Sequence, residues 1–244
     1  MSMTPPDKPV AAERVRENLV RAQNVRAEAD ANPVQAKRRR RLKIWQVERL
    51  TRTYADMVSH PRYGPPSEFF RTDLYGPKEV SQRDRDIERV YPTMVRLLPA
   101  SALDVVATAL EVDALSEELD HDLAVILWEE LKCEDRIDDA IYAEGYRRSG
   151  KKTERERQIA LVLRLGWDLD KLIHTPFLYT SLKLMRAPAK VAGLGELQSF
   201  LERGFTAFRG MGSADEFLAI IQKRETMILE KIFAENSHPF EFDQ

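Results

Sequence analysis

Apolar residues recur along this chain at spacings of three and four, the repeat of a helix that buries one face. The row Ile44, Val47, Leu50, Tyr54, Met57 and Val58 sets the rhythm, on a helix opened near Pro33 and ended by Pro61. Ile87, Val90, Tyr91, Met94, Val95 and Leu98 repeat it at offsets of 0, 3, 4, 7, 8 and 11. Pro92 falls within that row and predicts either a kink or a helix that begins anew at Tyr91. From Ser101 to Leu131 there is no internal Gly or Pro, which predicts a long central helix. Ile159, Val162, Leu163, Leu165, Leu169 and Ile173 form the apolar face of another, over Thr153–His174. Shorter or more polar helices are expected over 11–31, 65–74, 177–185, 195–208 and 213–234, the last opened by a capping box from Ser213 to Glu216.

No stretch alternates apolar and polar residues between hairpin turns, and no strand–helix–strand rhythm is present. The pattern therefore predicts an all-α fold, an irregular multi-helix bundle of about eight to ten helices. Residues 1–32 read as an N-terminal helical arm or extension and 33–244 as a single helical domain. With 43% apolar residues among 244, the chain can build a core without metals or disulfides.

Charge and cysteine usage narrow the setting. Cys133 is the single cysteine, so an intramolecular disulfide and a cysteine-only metal site are excluded. The longest apolar run, Leu123–Trp128, is far short of the roughly 20 residues a membrane helix needs, and the first residues lack an apolar signal segment. A cytoplasmic protein is the expectation. The net charge of -2 conceals a split: residues 1–60 carry 13 Lys/Arg against 7 Asp/Glu, and the rest carries the opposite excess. Such asymmetry favours an anionic partner, or attraction between the ends of two copies.

The stretch SEFFRTDLYGPKEVSQRD, Ser67–Asp84, places two phenylalanines and a Leu-Tyr pair among charges. On a helix Phe70 and Leu74 share a face, with Phe69 and Asp73 in the neighbouring row and Tyr75 at the end. Burying each phenylalanine is worth roughly 1.5–3 kcal/mol, so a packing staple is the plain reading; the wall of a ligand pocket and an interface are the alternatives. Phe69–Tyr75 also resembles the signature of the bacterial proteins named for an FFLEELY motif. Phe69, Phe70, Leu74 and Tyr75 match position by position, Asp73 replaces Glu, and Arg71 and Thr72 depart from Leu and Glu. The resemblance implies a helical protein and carries no activity or site residues with it.

Candidate chemistry is sparse. In DALSEELDHD, Asp113, Glu117 and His121 recur every four residues and Glu118 forms a Glu-x-x-His pair with His121, which suits iron, manganese or zinc. A two-metal bundle needs a second such pair, and none is found, so no cofactor is expected beyond this possibility. Asp56 with His60 and Asp170 with His174 repeat the acid–His spacing; ordinary capping and salt bridging explain these equally. Asp135, Asp138 and Asp139 could chelate magnesium as one helical face, or merely be hydrated. Lys37, Arg38, Arg39, Arg40, Arg41 and Lys43 wrap charge around a helix and could attract a nucleic-acid backbone, without a scaffold for reading bases. No phosphate loop or nucleophile elbow appears. The function best matched is a protein-interaction or regulatory module, with Trp45 and the Ile44–Val58 row as contact surface for a protein partner or a second copy. A carboxylate/His metalloenzyme and a nucleic-acid binder are the alternatives, and whether the chain is an enzyme stays open.

Overall fold

The computed structural model describes residues 7–74, 81–134, 136–176 and 178–242, without the side chains of residue 74 and of 81–84. Among these the chain is strand-free and forms twelve α-helical segments with two π-helical turns. Leu74 as a packing residue, Tyr75, Asp135, Phe177 and the Ser81–Asp84 cap lie outside what is described.

Helix α1 (Lys8–Asp30) lies along α6 (Ala100–Val125), with Val15 and Leu19 packed on Ala107 and Leu110. Its polar sequence still supplies eight buried positions, several of them alanines that let the two backbones approach. Helix α2 (Pro33–Thr53) starts where Asn32 Oδ1 accepts from Val34 N at 2.9 Å, and Pro33 takes a position needing no N–H donor. The predicted single helix to Pro61 is divided at Tyr54, after which α3 (Ala55–Val58) continues.

Helix α4 (Gly64–Phe69) passes into a π-helical turn, Phe70–Leu74. The extra residue in that turn rotates the two phenylalanines onto different neighbours: Phe69 meets Phe200 at 5.3 Å, and Phe70 lies between Phe208 and Phe217. Phe69 fits because residue 204 is glycine; a Cβ there would lie 2.8 Å from the ring. Asp73 accepts from Arg203 at 2.6 Å. Phe69 and Phe70 thus both pack against aromatic neighbours, with a π turn in place of a regular helix.

Helix α5 (Ser81–Leu97) runs through Pro92 as one element rather than restarting at Tyr91. The long helix α6 ends in a second π-helical turn, Ile126–Glu130, and a short link leads to α7 (Asp139–Arg148). Asp138 caps α7 by accepting from Ile141 N, and Asp139 pairs with Arg52, so these two acids do not share a helical face. Helix α8 (Lys152–Ile173) crosses α6 and α12 (Asp215–Phe233). Gly166 permits the second crossing, since a Cβ would sit 2.5 Å from a Leu218 methyl. Between them in sequence lie α9 (Leu178–Leu184), α10 (Arg186–Val191), which the apolar spacing did not foretell, and α11 (Gly195–Met211).

The capping box expected at Ser213 does not form. Ser213 Oγ accepts from Asp215 N, while Glu216 turns away to accept from the Tyr63 hydroxyl. The core lies between α4, α8, α11 and α12, with a second cluster where Trp45 stacks on Tyr142 at 4.0 Å. No helix among the described residues is long and apolar enough to cross a membrane.

Candidate functional site

Helices α2, α6, α7, α8 and α12, with α3, α4 and the first π turn, line a partly open chamber of about 150 Å³. An engineered apolar cavity of about that volume in another protein holds benzene, which sets the scale. The apolar part of the lining includes Leu50, Met57, Phe70, Ile159 and Phe217, all in or against one core cluster. The polar part includes Gln46 and Arg49 from α2, Asp120 from α6, Tyr142 and Tyr146 from α7, Arg155 from α8 and Glu225 from α12, with Tyr54 and Arg71 from the turns after α2 and α4.

Arg155 is one turn before Ile159 on α8 and is 4% exposed. Its Nη1 donates to Gln158 at 3.1 Å, its Nη2 to the Leu119 carbonyl at 3.3 Å, and its guanidinium lies 4.5 Å from the Tyr146 ring centre. Its Nε has no hydrogen-bond partner among the described residues. Arg49 repeats the pattern: Nη1 donates to Glu225 Oε1 at 2.6 Å, and Nε is unmatched. Glu225 Oε1 also accepts from the Tyr54 hydroxyl at 2.7 Å, so that carboxylate is engaged from two sides. Gln46 Nε2 donates to Asp120 Oδ1 at 2.8 Å.

Burial dominates the protonation states. It pushes the Asp120 carboxyl up, against the pull of Arg155 and the hydrogen bond from Gln46. It raises Tyr54, where Glu225 adds to the shift, and it raises Tyr142 and Tyr146, so these phenols keep their protons. Burial opposes charge on Arg155, but Tyr146, Tyr142 and Asp120 more than compensate and the guanidinium stays charged. Buried cations thus stand beside an apolar lining, and a hydrogen bond to such a charged group is worth about 1.5–3 kcal/mol.

The residues singled out by the sequence lie elsewhere. Glu117 accepts from Arg26, Arg39 and Lys43, and Glu118 is held on both oxygens by Arg21. Asp113 accepts from Arg26, and His121 lies beside Asp122, Arg148 and Lys151 on a shallow groove. Among the described residues no group of three or more His, Cys, Asp or Glu is placed to hold a metal. His60 accepts from Arg62 N and stacks on Tyr63, while exposed His174 contacts the Asp170 carbonyl. In the basic run Arg38 pairs with Glu129, Arg39 and Lys43 with Glu117, and Arg41 donates to the Glu134 carbonyl; Lys37 and Arg40 are exposed. Phe70 is the member of the aromatic stretch that reaches the chamber.

A family profile described as a domain of unknown function, DUF8198, matches residues 25–239. The chain belongs to this family. The match includes every residue of the chamber lining and begins inside α1, so most of that helix precedes it. Neither a curated protein nor a solved structure matches the chain. Sequence reasoning missed the chamber because its polar members are scattered over five helices. Its signal was a charge on an apolar row: Arg155 sits four and seven residues before Ile159 and Val162.

Proposed function

We propose that this member of the DUF8198 family is a binding module of regulatory type that takes a small guest into the chamber between α2, α6, α8 and α12. The supporting observation is Arg155, a buried guanidinium that lines this partly apolar space and donates only to neutral acceptors, Gln158 and the Leu119 carbonyl. Guest occupancy bridges α2, α6, α8 and α12, and that is how binding reaches the rest of the bundle. The Phe69–Tyr75 stretch, which resembles the FFLEELY signature, contributes through Phe70, a lining residue held by Phe208 and Phe217. The buried thiol of Cys133, the single cysteine of the sequence, suits a cytoplasmic setting.

Thermal unfolding with small aromatic guests such as benzyl alcohol and benzoate tests the reading. A guest at 100 times its dissociation constant adds about 2.7 kcal/mol of stability and raises the melting temperature. Unchanged melting with every such guest at millimolar concentration would remove the proposal.

A second reading, contact with a protein partner, is favoured by the apolar surface of α9 and α10, where Leu184 is 73% and Val191 90% exposed. Self-association through it predicts a sedimentation mass that rises with concentration and returns to one chain in Val191→Glu. A mass of one chain at all concentrations would discard self-association.

A further inference from the structure

The charge and donor inventory of the chamber restricts what the guest can be, provided the chamber is a guest site as proposed above. Three guanidiniums line it: Arg71 pairs with Glu68 and Arg49 with Glu225, whereas Arg155 donates only to neutral acceptors, Gln158 and the Leu119 carbonyl. Of the two lining carboxylates, Glu225 already accepts from Arg49 and Tyr54 through one oxygen, and Asp120 accepts from Gln46. Gln158 is spent on Ser116, whose own hydroxyl donates to the Val112 carbonyl. Arg155 therefore stands out as the lining guanidinium with no carboxylate among its hydrogen-bond partners in the described residues.

Each class of guest meets this lining differently. A cation would be held next to three guanidiniums, where like-charge repulsion opposes it. A wholly apolar guest would leave the Arg155 charge without an anionic partner. A phosphate dianion would bring two charges to a lining in which Glu225 already balances one guanidinium. A carboxylate brings one charge and the planar acceptor pair that a guanidinium edge matches. It also suits the remaining lining, since an apolar body can lie against Met57, Phe70, Ile159 and Phe217.

We infer that the guest is a small organic monocarboxylate with a compact apolar or aromatic body, its carboxylate held by Arg155 with Arg49 beside it. Asp120 is the group that adjusts: burial already favours its protonated form, and an arriving anion favours it further. Charged hydrogen bonds of this type are worth about 1.5–3 kcal/mol, or roughly ten- to hundredfold in affinity.

Calorimetric titration of the full chain with benzoate and its neutral isostere benzamide tests the inference. Benzoate is expected to bind at least about tenfold more tightly, and Arg155→Met should abolish that preference. The ratio in the unmodified chain decides alone if the variant does not fold. Equal affinity for the two would overturn the monocarboxylate inference and leave the chamber as a guest site. Failure of both to bind would overturn both. A benzoate preference that survives in folded Arg155→Met would also overturn it, because the acid would then be held elsewhere.

Discussion

Glu117 and Asp120 stand three residues apart on α6, 4% and 8% exposed, yet the chain treats their charges in opposite ways. Burial works against ionisation at both. At Glu117 it is overcome by Lys43, Arg26 and Arg39, and the carboxyl is held below its ordinary range. At Asp120 burial prevails over Arg155 and Gln46, and the carboxyl is pushed up. The first belongs to a seam in which α1 and α2 close on α6 through matched pairs, Arg14 with Asp104 and Glu111 and Arg21 with Glu118 among them. The second belongs to a chamber whose cations are only partly matched. Arg39 Nε in the seam is also without a partner, but Arg39 does not line the chamber. Direct pairing spends charge on the fold; incomplete pairing around a space keeps it for something that enters.

The largest expected effect is on the seam side. Glu117→Gln leaves three buried or half-buried cations facing a neutral amide, and it should cost about 3–5 kcal/mol in denaturant unfolding. It should also change the pH dependence. Because the folded Glu117 carboxyl is depressed, its contribution is present above the ordinary value of 4.5 and is lost as pH falls through the folded value. The acid-side loss of stability should therefore be shallower in Glu117→Gln than in the unmodified chain. Asp120 has the opposite sign: its penalty is absent below 3.8 and grows as pH rises toward its raised folded value. Equal acid limbs in the two proteins would break the contrast on its seam side.

Tyr54→Phe should have a smaller effect. It removes one hydrogen bond to Glu225 while Arg49 keeps its own, and a loss of about 1.5–3 kcal/mol is expected from unfolding curves. The smallest effect belongs to Arg155→Met, within about 1 kcal/mol of the unmodified chain. Removing the guanidinium ends its own desolvation cost, and Asp120 can answer by taking up a proton. If Arg155→Met proved as damaging as Glu117→Gln, Arg155 would be a structural ion like those of the seam and the comparison would collapse.

The helices were legible because their cause is local. Apolar spacing of three and four marks the packed face, half-buried along Ile87–Leu98 and buried at Leu163, Leu165 and Ile173, and the missing glycines and prolines of Ser101–Leu131 report length. Legibility failed where a tertiary contact overrides a local signal. Ser213 and Glu216 have capping-box spacing, but the Tyr63 hydroxyl draws Glu216 away. Arg38–Arg41 look like one basic patch, yet Arg39 is buried and Arg38 and Arg41 are turned to partners from the link after α6 and its π turn. The chamber was hidden for the same reason. Gln46, Asp120, Arg155 and Glu225 are ordinary polar residues in sequence, and their grouping depends on how α2, α6, α8 and α12 cross.

The most direct test of whether the unmatched donors receive a guest is a crystal structure of the chain grown with saturating benzoate. The predicted result is a ring among Met57, Phe70 and Phe217, with a carboxylate oxygen about 3 Å from a nitrogen of the Arg155 guanidinium. A chamber filled by ordered water alone, or a carboxylate held away from Arg155, would contradict the account.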